Sequence, residues 1–585
     1  MVSRTLLAIT LALTAAACGS ASPEGAGDPS PPAVDADGAP SGGDVMPSDP
    51  GLPVPLKVPG PKVKDTKARV WVVDANWADT DTPKARAAGV AWPADSGLSW
   101  EQKYGRWLSS FEIVGSAGDP DHQTLRAKTP YGDRTFDGPV LECADVAIWL
   151  RVAFASWYGL PYYATGTRSG KPIYMGHFGV VDEDGDPVSG FPAYETAYPS
   201  YEGKWSPGQA WPSDAALRGK HVGDDDGSPG VRAADRTLGA SDGAGAYYDA
   251  MFLNKRVGHL LVLMDASFGS MHLAAGTNMY HVTPESTRAG DVLVERWQKS
   301  GVGHTLVVVR ADFRSKESLR LDAVSGGMPR HQPDWAAGYV AMPYFTAPAA
   351  GGPGFADDDP KTPLAQLGGG LRRFRVAVVE GGRWMGTVLD ADRASYISET
   401  EVERIAARTS RFVDLLGPNT PDEARAATLA NVDAARKDLM RQPASCSARE
   451  RREQAFAELY DVMSASFGKS KRDVDAEHRK LEDYVFAELE YGKSKTCCWS
   501  SATREMATIV LDYAKKEKAQ ADAQGVCKQP TPFRATAGGY GVWKSHAATL
   551  GKASAWRAWS EDEPCPQRGV QDDVLTAVGA TPMCK

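Results

Sequence analysis

Residues 138–161 read GPVLECADVAIWLRVAFASWYGLP, and the role given to the one cysteine in this stretch decides how the rest of the chain is read. Val146, Trp149, Leu150, Ala153, Phe154 and Trp157 recur at helical spacing, and Gly159 with Pro161 closes the run. An apolar stripe this wide predicts a helix lying mostly in the core. Cys143 falls in its first turn, behind a Gly-Pro turn. Unpaired amides and the helix dipole at that position favour thiolate over thiol, and a lowered thiol pKa is what a cysteine nucleophile requires.

The other cysteines sharpen the point. The chain has eight: Cys18, Cys143, Cys446, Cys497, Cys498, Cys527, Cys565 and Cys584. The last six crowd toward the C-terminus and suggest three bridges whose pairing sequence alone leaves open. Cys18 lies at the end of MVSRTLLAITLALTAAACGS, where Arg4, an apolar run from Leu6 to Leu13 and small residues make an export signal over residues 1–17. Ala15-Ala16-Ala17-Cys18 resembles a bacterial lipobox, departing at Ala15 where Leu is usual; the resemblance implies a lipidated Cys18. Ordinary cleavage after Ala17 is the alternative. With Cys18 on lipid and six cysteines in bridges, Cys143 is the thiol left over.

Residues 18–60 are mostly Gly, Pro, Ala, Ser and Asp, too poor in large apolar side chains to order themselves, and are expected to be a flexible tether. A length of 585 residues predicts about two folded domains. A net charge of −9 without a sustained basic stripe argues against nucleic acid as a partner. Lipid would be the only membrane anchor.

Residues 61–397 read as an α+β domain. VWVVDANW (70–77), PIYMGHFGVVDEDGDPVSG (172–190), AGDVLVERW (289–297), HTLVVVRADF (304–313), SLRLDAV (318–324) and FRVAVVEGGRW (374–384) read as strands or hairpins, and 247–274 as a second helical stretch. Residues 398–585 read as an all-α domain stapled by disulfides. Ser398…Glu401, Thr420…Glu423 and Ser447…Glu450 fit helix starts, and Gly417, Gly468 and Gly492 fit helix ends.

A thiolate needs a proton carrier. His304 opens a strand after two glycines, and Asp322 on the next strand is placed to orient it if the hairpin turns near residue 313; a turn near 315 puts Ser325 opposite instead. His177 is the rival base, with Asp182 too near the turn to orient it. His259, His272 and His281 belong to apolar stretches and read as structural. Asp182–Asp186 lacks the spacing of a calcium loop and reads as a hairpin turn, and Asp224–Asp226 as a solvated loop. No metal or cofactor is implied.

Glu-Cys-Ala-Asp heading a buried helix, Ala-Gly-Asp-Val-Leu before a strand and Gly-His-Thr-Leu-Val-Val opening the next resemble the papain-like superfamily, in particular its NlpC-like cell-wall endopeptidases. The run from Cys143 to Leu160-Pro161 also resembles the transglutaminase-like branch. The resemblance implies a papain-like fold with Cys143 as nucleophile, His304 as general base and acid, and Asp322 as orienting residue. No oxyanion side chain near Gln123 or elsewhere matches the family, and backbone amides at the start of the cysteine helix are placed to serve instead. It implies hydrolysis of amide bonds in peptidoglycan peptides or in an envelope protein. A transglutaminase-like acyltransferase or protease, and a catalytically inactive binding or scaffold lipoprotein, are the alternatives. The 161 residues from Cys143 to His304 exceed the compact cell-wall pattern, so either a large insertion, roughly 178–280, shapes substrate access, or the branch is a different one.

Overall fold

A computed structural model describes residues 55–114, 124–132, 134–220, 222, 243–295, 304–327, 330–337, 369–417, 420–490, 493–535, 540–560, 562–563, 575 and 579–584. The chain divides into two compact units, Met1–Pro418 and Asn419–Lys585. The first is mixed α/β and the second helical. Among the described residues no helix is long and apolar enough to cross a membrane.

The strands of the first unit are β1 (Lys57–Lys62), β2 (Glu112–Val114), β3 (Thr124–Lys128), β4 (Thr135–Asp137), β5 (Tyr163–Arg168), β6 (Lys171–Gly176), β7 (Gly179–Val181), β8 (Met279–Val282), β9 (Val292–Glu295), β10 (His304–Ser315), β11 (Ser318–Ser325), β12 (Asp334–Ala337), β13 (Gly370–Phe374), β14 (Val376–Glu380), β15 (Arg383–Thr387) and β16 (Tyr396–Ile397). Its helices are α1 (Pro83–Arg86), α2 (Trp100–Ser109), α3 (Cys143–Tyr158), α4 (Tyr194–Ala197), α5 (Ala215–Arg218), α6 (Ala244–Met251), α7 (Lys255–Ser267), α8 (Ser270–Ala274) and α9 (Val402–Leu416). Seven strands form one sheet in the order β12-β11-β10-β9-β13-β8-β16, antiparallel throughout.

The pleat of β10 sorts the core into two layers. Val307 and Val309 pack with α3, whereas Leu306 and Val308 pack with Phe412 and Leu415 of α9. Alternate residues of a strand point to opposite faces, so α3 and α9 cover opposite sides of this sheet. α3 begins at Cys143 and ends at Gly159, whose φ of 64° is the left-handed conformation glycine adopts readily. It is buried nearly all round. Tyr104 and Trp107 of α2 lie 5.3 and 5.6 Å from the Phe154 ring.

Several expectations change here. VWVVDANW is not a strand: Trp71 and Trp77 turn inward and donate their indole N–H groups to Leu160 O (2.9 Å) and Pro161 O (2.7 Å), fastening the end of α3. The expected tether reaches too far, because Lys57–Lys62 pairs with β15. The helical stretch 247–274 lies within three helices, interrupted where Asn254 caps α7 and at Gly269. Within 178–280, α6 and α7 belong to the core around α3.

The boundary expected at 398 falls before α9, which belongs to the first unit. Arg408 of α9 donates to Leu371 O (2.7 Å) and lies 2.9 Å from His281 Nδ1, both on the sheet. Burial and the neighbouring Arg372 push the Arg408 guanidinium down to about 9.

The second unit contains α10 (Pro421–Arg441), α11 (Cys446–Phe467), α12 (Lys471–His478), α13 (Leu481–Val485), α14 (Arg504–Ala523) and α15 (Gly541–Thr549). The capping box at Thr420 and Glu423 and the glycine ends at Gly417 and Gly468 form. Ser445, not Ser447, caps α11. Gly492 lies outside the described residues. Cys446–Cys497 and Cys527–Cys584 are bridged, and Trp499 stacks on Phe533 at 5.1 Å in the core.

Candidate functional site

Cys143 is fully buried at the start of α3, and it is disulfide-bonded, as is Cys498. It is therefore not the leftover thiol that a nucleophile requires. Cys18, Cys565 and the Asp224–Asp226 loop lie outside the described residues.

Strand register places the other two residues. β10 and β11 pair Ser315 with Ser318, which puts the turn at 316–317, beyond either position considered from sequence. Val307 faces Val324 and Arg310 faces Asp322. Asp322 is thus opposite Arg310, with an ion pair at 3.5 Å, and does not orient His304. Burial raises its carboxyl pKa, and Arg310 partly offsets that rise.

His304 shares the pleat phase of Leu306 and Val308, the α9 side of the sheet, whereas α3 lies on the Val307 side. The residue next to it that does face α3 is Thr305. Cysteine helix and strand-opening histidine are both present, but the pleat turns the imidazole toward the opposite face. Ser325 is its partner: Ser325 Oγ lies 3.4 Å from His304 Nε2 and donates to Thr305 O at 2.6 Å. The next residue, Gly326, faces α3. A Cβ there would lie 2.7 Å from Glu142 O and would also meet Leu141 O, so only glycine lets β11 run this close to the entry of α3.

Four other histidines weighed from the sequence, His177, His259, His272 and His281, sit in packed surroundings. His177 has its Nδ1 2.9 Å from Tyr162 O, rings of Phe178 and Trp384 against it, and burial pushes it down to about 4. His259 stacks on Tyr198 at 3.6 Å. His272 Nδ1 accepts from the Gly269 amide, and His281 sits between Arg372 and Arg408. Asp182 Oδ1 accepts from the amides of Asp184 and Asp186 and closes a hairpin turn. Among the described residues no cluster of His, Cys, Asp or Glu is placed to hold a metal.

What the first turn of α3 does hold is a group of charges that sequence spacing gave no means of finding. Arg330 donates to Glu142 Oε1 at 2.9 Å, the Glu142 amide donates to Asp145 Oδ2 at 3.2 Å, and Tyr248 donates to Asp265 Oδ2. Burial, with Asp265 and Glu142 nearby, raises Asp145 well above the ordinary carboxyl range, and burial raises Asp265 likewise. The residues come from α3, α6, α7 and the segment before β12, which are adjacent only in the fold. Compared with known proteins, the chain matches no protein-family model, no curated protein and no solved structure.

Proposed function

We propose that this chain is an exported, disulfide-stapled protein of the cell envelope whose α/β unit is a catalytically silent binding or scaffold module. The observation that carries this reading is the bonded, buried Cys143. The pleat phase of His304 and the Arg310 partner of Asp322 support it. In this reading Cys143 ties the entry of α3 to the rest of the protein, and α3 organises the core.

A second reading is favoured by the cysteine count. Eight cysteines can all pair, but if Cys18 carries lipid, seven remain and cannot all pair within one chain. In that case the competing reading is a papain-like hydrolase acting on peptidoglycan or envelope-protein amides, or a transglutaminase-like enzyme. Ordinary cleavage after Ala17 keeps the Cys18 sulfur available for pairing and belongs with the silent module.

Incubating the mature protein with purified peptidoglycan and analysing the released peptides separates the two. The silent module releases no more than Cys143→Ala does. Release by the native chain that disappears in Cys143→Ala would overturn it.

A further inference from the structure

The acids at the first turn of α3 are out of balance. Asp145 and Asp265 are 1% and 5% exposed. Each has one carboxyl oxygen, Oδ1, buried without a hydrogen-bond partner among the described residues. The charged and titratable groups acting on them are Glu142, Arg330 and Tyr248, with Tyr162 sensing Asp265. Arg330 is bonded to Glu142, so two full negative charges on the aspartates would be buried without matching cations. Their bonds divide the roles. Asp145 accepts a backbone amide at the helix start, which suits an anion, while Asp265 accepts a phenol at Oδ2 and leaves Oδ1 for a proton.

We propose that the buried pair Asp145 on α3 and Asp265 on α7 keeps one of its two protons at neutral pH and acts as a latch on the packing of these helices that strengthens as the surroundings acidify. The sign follows from linkage. An acid held in the protonated form by the fold contributes its full stability below the unfolded value of about 4, and that contribution is lost as pH rises. An envelope protein meets the external pH directly, so the latch would couple the order of the central helix to acidity.

The test is hydrogen exchange of the full-length mature protein between pH 5 and 8, corrected for intrinsic rates and read at the α3 and α7 amides. Asp265→Asn keeps the shape and hydrogen bonds of the neutral acid without titrating. The native chain is expected to lose about 10-fold or more in protection across this range, and Asp265→Asn less than about 3-fold. Equal pH dependence in the two proteins would overturn the latch. If Asp265→Asn does not fold, Asp265→Leu, a side chain of similar shape that cannot titrate, provides the same comparison, with the same outcomes expected.

Discussion

Cys143→Ala is expected to destabilise the first unit by about 3 kcal/mol, the usual cost of removing a native disulfide. Three effects add in the same direction. The unfolded chain regains the freedom that the cross-link removed. The entry to α3, held between Leu141–Glu142 and Gly326, loses its covalent anchor. The vacated sulfur volume sits where exposure is zero, so the surroundings must collapse or leave a void. A free catalytic cysteine would behave differently: alanine there usually abolishes activity while changing stability little. Denaturant unfolding of native and variant chains, followed by the fluorescence of tryptophans packed around α3, measures the difference. A change below about 0.5 kcal/mol would show that Cys143 is not a structural half-cystine.

Arg373→Ala is expected to cost about 4 kcal/mol. Arg373 is 2% exposed and binds Asp291 at 2.6 and 2.9 Å, Asp392 at 2.8 Å and Ser286 O at 2.7 Å. The same ion network continues through Arg288 to Asp392 (2.7 Å) and through Glu101 to Arg151 on α3 (2.7 Å), so it joins α2, α3 and β13. Alanine leaves Asp291, with no exposed surface, carrying an unmatched charge. The pH dependence has the opposite sign to that of the aspartate latch. Burial opposes ionisation of Asp392, but Arg373 and Arg288 outweigh it and hold the carboxyl below its usual range. Stability from this group is therefore present above the ordinary carboxyl pKa and is lost as pH falls through the lower folded value. Melting curves should show the difference between native and Arg373→Ala shrinking toward acid. A difference independent of pH would contradict the role given to the network.

These two effects mark where sequence was informative and where it stopped. The helix from Cys143 to Tyr158, its end at Gly159, the β10–β11 hairpin and the start of α10 at Thr420 all follow from local spacing and capping chemistry. The missed α2 also carried a local signal, because Ser99 and Gln102 form a capping box. The face taken by His304 is a different kind of fact. It depends on strand phase, and one residue turns an imidazole from α3 to α9. The turn at 316–317 likewise moved Asp322 opposite Arg310. VWVVDANW misled because its tryptophans bury by bonding to the chain after α3, a tertiary contact with no period. Glu142, Asp145, Asp265 and Arg330 converge from segments far apart in sequence, and no spacing rule connects them.

The most direct test of a silent, disulfide-stapled module is the state of every cysteine in the mature, unreduced protein. Alkylation at mildly acidic pH, then again after unfolding, followed by mass-spectrometric mapping of labelled and bridged peptides, reads it. The account predicts Cys143 within a bridged peptide, unlabelled in both steps, with Cys18 free of lipid. A lipid on Cys18 together with rapid labelling of Cys143 alone would contradict it and return that residue to the role of a nucleophile.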